Sequence, residues 1–577
     1  MLKPYIAHRN FYHAKRGLNH MACKGRRGGR AFGRREFVRA GLVGSLGLTL
    51  TGFNHERAAR ALAALAGEPQ AGGRFDWEEL TVRDAQAAMS SGRVSARRLT
   101  EMYLERIERI DRRGAALNSV IETNPDALSI AEALDRERKD NRVRGPLHGV
   151  PVLIKDNIDT ADKMLTTAGS LALVGARPRR DAFIVERLRA AGCVIVGKTN
   201  LSEWANFRST HSSSGWSGRG GQTRNPYALD RNPCGSSSGS GAAVSANLAL
   251  VGVGTETDGS IVCPSGTCGI VGIKPSLGLV SRAGIIPISH SQDTAGPMAR
   301  TVADAAALLN ALAGSDPLDP VTSAGSRHAR MDFTQSLDPG ALRGARVGVA
   351  RKFFGFNDQV DKLIADAIDL MKREGATVVD PADLPTHGKF DAAEFDVLLY
   401  EFKADLNKYL AGLAPGDHPR TLKELIDFNE RNRDREMPYF GQELFVRAEA
   451  KGPLTDAAYL KALRTSKTLS QAQGIDAVMT KNNLDALIAP TGGPAWTTDL
   501  LNGDHFTGGS STPAAVAGYP NVQVPAGYVY GLPVGISFFG RAFTESKLIR
   551  LAYAYEQATR HRQPPRLLPT ADLGHRS

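Results

Sequence analysis

The 577-residue chain is 42% hydrophobic and 23% charged, a composition that excludes a disordered, collagenous or disulfide-stapled protein and allows a large buried core. Its formal net charge of +12 invites a nucleic-acid reading until the charge is located. Residues 1–66 hold three Lys and ten Arg against Glu36 and Glu56, while the rest of the chain balances 59 basic against 58 acidic residues, so a nucleic-acid-binding surface is excluded.

The basic leader ends in Gly33-Arg34-Arg35-Glu36-Phe37-Val38-Arg39 and passes into the apolar segment Ala40 to Phe53. This order is that of a signal peptide. The Arg34-Arg35 run, followed by a Gly-rich and only moderately apolar segment, resembles a twin-arginine export signal. Its 14 apolar positions are too few to span a bilayer, which takes about 20. Residues 1–66 are therefore expected to be a signal cleaved after Ala64-Leu65-Ala66. Residues 67–577 are the expected mature protein, periplasmic or secreted and without stable membrane insertion.

Further along, Leu99, Tyr103, Ile107 and Ile110 fall on one helical face, with Thr81 and Asp84 spaced as a capping box. Val150 to Ile154 is continuously apolar, as a strand buried on both sides would be. Asp181 to Ala191 reads as a helix stopped by Gly192, with a strand at Cys193 to Val196. The same order returns at Val360 to Arg373, Gly375 and Thr377 to Val379. Between Thr210 and Gly296 the chain is rich in Gly and Ser, but apolar runs such as Ala249 to Val253 and Ile270 to Ile273 predict packed strands joined by tight turns. Residues 383–480 read as a helical elaboration, in which Leu398, Leu399, Tyr400 and Phe402 fit core packing better than a pocket wall. Ala486 to Pro490 and Val522 to Phe539 return to short apolar strands. Alternating strands and helices define an α/β fold. With no repeat and no Pro-rich linker, one large domain is expected.

Cys23, Cys193, Cys234, Cys263 and Cys268 do not make a disulfide framework, and neither C-x-x-C nor H-E-x-x-H accompanies them. They are expected to be small buried side chains. No metal and no cofactor is expected.

Three segments carry chemistry. The first is Val150 to Asn157, where Lys155 ends an apolar strand. The second is Asn232-Pro233-Cys234-Gly235-Ser236-Ser237-Ser238-Gly239-Ser240-Gly241, a turn that presents N–H groups and hydroxyls together, as an oxyanion requires. The third is Gly254-Thr255-Glu256-Thr257-Asp258-Gly259-Ser260, a second Gly-flanked serine after a strand. The second segment also satisfies G-x-S-x-G with Ser237 as nucleophile, but no apolar strand precedes it and no HGGG-type motif lies upstream. A phosphate loop is disfavoured because no Gly-Lys-Ser/Thr follows the glycines.

Together these segments resemble the amidase signature family, over roughly residues 80–560. The resemblance implies a single large domain with a central twisted mixed β-sheet covered by helices. It matches Lys155 to the family's catalytic lysine, Ser236 to its bridging serine and Ser260 to its nucleophile. It also implies a cis Gly235–Ser236 peptide bond, and an oxyanion site formed by the N–H groups of Thr257, Asp258, Gly259 and Ser260. The chemistry is coherent. A serine hydroxyl needs an adjacent base, and no His lies in any of the three segments. At a reference pKa of ~10.4, less than about 0.1% of an exposed Lys is neutral at pH 7, so burial must lower that of Lys155.

The chain departs from the commoner family pattern G-T-D-x-G-G-S at Glu256 and Asp258. Asp258 lies beside the oxyanion site and is expected to accept a hydrogen bond from the substrate's amide nitrogen. The wording of the segments looks closest to bacterial peptide amidases, which implies a peptide or small-molecule amide as substrate. Amidases of aliphatic, aryl or fatty amides remain alternatives, as do an amidotransferase subunit and a non-catalytic binding protein. The leader and the near-neutral mature chain disfavour the amidotransferase, and the intact Lys155, Ser236 and Ser260 disfavour the binding protein. Nothing in the sequence speaks to oligomeric state.

Overall fold

The apolar runs become the strands of one 11-stranded mixed sheet in a computed structural model that describes residues 77–574. From edge to edge the sheet runs Val120–Thr123, Val194–Thr199, Pro151–Lys155, Val251–Glu256, Thr294–Ala299, Val271–Lys274, Asn521–Val529, Leu532–Phe539, Ala486–Pro490, Arg346–Val349 and Thr377–Val379. Val194–Thr199, Pro151–Lys155 and Val251–Glu256 are mutually parallel, as are the three strands from Ala486–Pro490 to the far edge. Antiparallel pairs join the two groups. Pro151–Lys155, Val194–Thr199 and Val251–Glu256 are buried at every position, because helices cover both faces.

Residues 79–574 form one compact unit. The basic leader, its Arg34-Arg35 run and the expected cleavage site lie outside the described residues. Among the described residues, no helix is long and apolar enough to cross a membrane.

The helices follow the periodicity and end signals. Thr81 caps Val82–Ser90, its Oγ1 accepting the Asp84 N–H at 3.1 Å. Leu99, Tyr103 and Ile107 are buried across the Ala96–Arg106 helix and the wider turn that continues it. Asp358–Arg373 buries Val360, Ile364, Ala367, Ile368 and Met371 and presents its charges outward. The region after residue 383 is helical, led by the 22-residue helix Asp391–Gly412. On it Leu398, Leu399 and Phe402 pack into a core cluster with Phe207 and Phe445, and Tyr400 packs with Tyr459, so core packing is the role of all four.

The cysteine expectation holds only in part. Cys193 and Cys268 are buried thiols, but Cys234 and Cys263 form a disulfide. The two are 29 positions apart, with no spacing signal to pair them. Only the fold brings the loop before Ser236 against the helix after Ser260.

Candidate active site

Parallel strands end at the same sheet edge, which is where α/β folds assemble sites from strand ends. Pro151–Lys155 and Val251–Glu256 are paired with Ile154 opposite Val253, so Lys155 and the turn after Glu256 emerge together. Lys155 is fully buried. Its Nζ donates to Ser236 Oγ at 2.8 Å, to Thr255 Oγ1 at 2.9 Å and to the Thr255 carbonyl at 3.3 Å. Asn157 Nδ2 donates to the same Thr255 hydroxyl at 3.0 Å. Burial pushes the Lys155 ammonium down to about 7, against the opposing pull of the Asp293 and Glu256 carboxylates.

The serine loop is pinned to that strand end. Ser237 Oγ donates to the Thr255 carbonyl at 3.0 Å and accepts the Thr255 N–H at 3.2 Å. The Ser237 N–H donates to the Ser260 carbonyl at 3.1 Å, so the residue beside Ser236 is fixed directly to Ser260. The Gly235–Ser236 peptide bond is cis. The next helix, Ser238–Ser245, consists of small buried residues that allow close approach. A Cβ on Gly239 would lie 2.3 Å from the Ser119 carbonyl oxygen, so no larger residue fits there.

The turn Thr257 to Ser260 is shaped by its flanks. Gly259 has φ +76°, a left-handed conformation that favours glycine. Glu256 Oε2 accepts the N–H groups of Ile261 at 2.7 Å and Val262 at 3.0 Å, which ties down the chain just after Ser260. The N–H groups of Thr257, Gly259 and Ser260 are committed to no acceptor among the described residues. They are available to a developing oxyanion. Asp258 accepts from Ser511 Oγ at 2.6 Å and Thr512 Oγ1 at 2.7 Å. Its carboxylate is thereby engaged by the Ser511-Thr512 pair at the start of a distant helix.

A cavity of about 660 Å³ reaches Asn157, Thr255 and Thr257. Ile286, Ile288, Tyr409 and Leu413 give it apolar walls, in place of the side chains considered from sequence. The structure thus brings Lys155, Ser236, Ser260 and the Thr257–Gly259 turn to one sheet edge. Sequence reasoning missed Thr255, Asn157, Gln292 and Asp293, which flank these residues as ordinary polar side chains. The disulfide was missed as well. Asn157 and Thr255 lie inside two of the three segments but without an assigned role, and Gln292 and Asp293 lie outside all three.

Fold and geometry define an enzyme of α/β class that brings a buried lysine to a serine hydroxyl at its strand ends. The amidase family model matches residues 98–549. A probable amidase of Arabidopsis thaliana is 44% identical over 86% of this chain and 93% of its own length. The A subunit of a glutamyl-tRNA(Gln) amidotransferase from Chloroflexus aurantiacus is 36% identical over 85% of this chain and 99% of its own. Among solved structures, native peptide amidase from Stenotrophomonas maltophilia superposes with a TM-score of 0.81 at 53% identity, covering 86% of this chain and all of that one. The chain belongs to the amidase signature family and hydrolyses amide C–N bonds.

Proposed function

We propose that the protein hydrolyses C-terminal carboxamides of peptides, releasing ammonia through an acyl-enzyme on Ser260. The observation that carries the mechanism is the fully buried Lys155 with its Nζ 2.8 Å from Ser236 Oγ. Neutral Lys155 takes the Ser236 proton while Ser236 takes the Ser260 proton, and Ser260 Oγ adds to the amide carbonyl. The negative oxygen is met by the turn of N–H groups from Thr257 to Ser260, donors typically worth ~2.7 to 4 kcal/mol each. The C–N bond breaks as the Lys155 ammonium returns its proton through Ser236 to the leaving nitrogen, giving ammonia and a Ser260 ester. Water then loses a proton along the same route and displaces Ser260, leaving the free acid. Asp258 lies within this turn, and its carboxylate, held by Ser511 and Thr512, is an acceptor suited to an amide NH₂ and unsuited to the carboxylate product.

The peptide reading is supported by identity to peptide amidase at 53%, against 36% to the amidotransferase subunit. Ser260→Ala is expected to abolish ammonia release from a peptide amide. Equal rates on a peptide amide, a fatty amide and an aryl amide would overturn the substrate assignment.

We also propose that residues 1–66 are a twin-arginine signal and that the mature protein works outside the cytoplasm. The Cys234–Cys263 disulfide supports this, because such bonds persist in oxidising compartments.

A further inference from the structure

Thr257, the first residue of the N–H turn, is gripped at two points by neighbouring residues of another loop. Its Oγ1 donates to Asp293 Oδ1 at 2.5 Å, and its carbonyl accepts from Gln292 Nε2 at 3.3 Å. That loop is itself closed, because Asp293 Oδ2 accepts the N–H groups of Ile288 and Ser289, each at 2.8 Å. It is also anchored from behind. Gln292 Nε2 donates to Glu394 Oε1 at 2.9 Å, and the Ser291 N–H donates to Glu401 Oε2 at 3.0 Å. His290 Nδ1 lies 2.8 Å from Asp405 Oδ2. Spacings of seven and four place Glu394, Glu401 and Asp405 on one face of the helix Asp391–Gly412. A continuous set of hydrogen bonds therefore runs from this acidic helix face through residues 289–293 to the turn that faces the acyl oxygen.

We propose that Gln292 and Asp293 are positioning residues for amide hydrolysis, holding Thr257 by its carbonyl and hydroxyl so that the N–H groups from Thr257 to Ser260 converge on the oxyanion. They act through Thr257, and the helix Asp391–Gly412 is the brace that fixes them. The helical region after residue 383 thereby gains a task in catalysis beyond enclosing a cavity. The proposal rests on Ser260 as the nucleophile. Asp293 has a second, electrostatic effect that a purely structural residue lacks. Its charge and that of Glu256 favour the protonated form of Lys155, while burial pushes the Asp293 carboxyl itself up to about 6 against the hydrogen bonds from Thr257, Ser289 and Ile288 and the nearby Arg282.

A double-mutant cycle tests this with ammonia release from a peptide amide. Asp293→Ala and Thr257→Val are each expected to lower kcat by about 10- to 100-fold, as a displaced oxyanion donor would, with KM within about twofold. The double variant should be no worse than the poorer single one, because both remove the same link. Asp293→Asn keeps a hydrogen-bonding side chain without the charge, and should move the acid limb of kcat/KM to lower pH. Gln292→Met loses the grip on the Thr257 carbonyl and the bond to Glu394 without changing the charge of the loop, and should lower kcat with the acid limb in place, which keeps the test decisive even if Asp293→Ala unfolds. Wild-type kcat in both Asp293→Ala and Gln292→Met, additive losses in the double variant, or an unmoved acid limb in Asp293→Asn would overturn the proposal. Failure of the Ser260 reading shows separately, as ammonia release that survives Ser260→Ala.

Discussion

Lys155 shows how one residue changes meaning between sequence and fold. At the end of an apolar strand a lysine ordinarily marks the point where the chain reaches water, with its stem along the surface. Here it is sealed, and its three short contacts go to two hydroxyls and a carbonyl rather than to a carboxylate. Dipoles hold the nitrogen in place without stabilising its charge as an ion pair would, so burial prevails and the ammonium sits near 7. The protonated lysine is the inactive form, and a lowered pKa makes the active form available at neutral pH. For the free enzyme kcat/KM is expected to fall about tenfold for each pH unit below about 7 and to level above it, read from a pH profile of ammonia release. Lys155→Met should lower kcat by at least ~100-fold. An acid limb near pH 10 would refute the lowered pKa of Lys155, and full activity in Lys155→Met would exclude it as the base.

At the scale of elements, the site is held by short segments fastened to one another. Ser237 binds the serine loop to the end of Val251–Glu256, and Glu256 ties down the chain after Ser260. The Cys234–Cys263 disulfide closes the same two segments covalently, with Ser236 and Ser260 both inside the closed loop. For a loop of this length the chain-entropy account gives a contribution of about 3.6 kcal/mol. Cys263→Ser is therefore expected to lower the urea midpoint of the oxidised protein. The same loss should follow reduction of the wild type before unfolding, and Cys263→Ser should add nothing further under reducing conditions. A variant as stable as the oxidised wild type would refute this role. The departure at Glu256 also finds its reason at this scale. Its carboxylate accepts two N–H groups beyond the nucleophile and none from the turn itself among the described residues.

At the scale of the whole molecule, the balance of the charge belongs to the first 66 residues and the chemistry to the remainder. If the leader is a twin-arginine signal, replacing Arg34 and Arg35 by Lys should leave active, unprocessed protein in the cytoplasm, whereas the unaltered chain accumulates in the periplasm at a smaller mass. Fractionation followed by an ammonia-release assay measures both, and export of the double variant at the wild-type level would refute the signal. The 11-stranded sheet explains why no domain boundary is legible, since strands from residue 120 to residue 539 share one hydrogen-bonded surface.

The sequence by itself determined the α/β class, most strand and helix positions, and the three segments that carry Lys155, Ser236 and Ser260, because buried strands and glycine-rich turns are local patterns. Tertiary structure alone decided what surrounds them. Asp293 and Gln292 reach Thr257 across 36 and 35 positions, Ser511 and Thr512 reach Asp258 across more than 250, and Cys234 meets Cys263 without a spacing motif. Such partners are single polar residues whose meaning comes from strand order. A linear pattern records which residues lie on one face of an element, but not which distant loop the sheet brings to its edge.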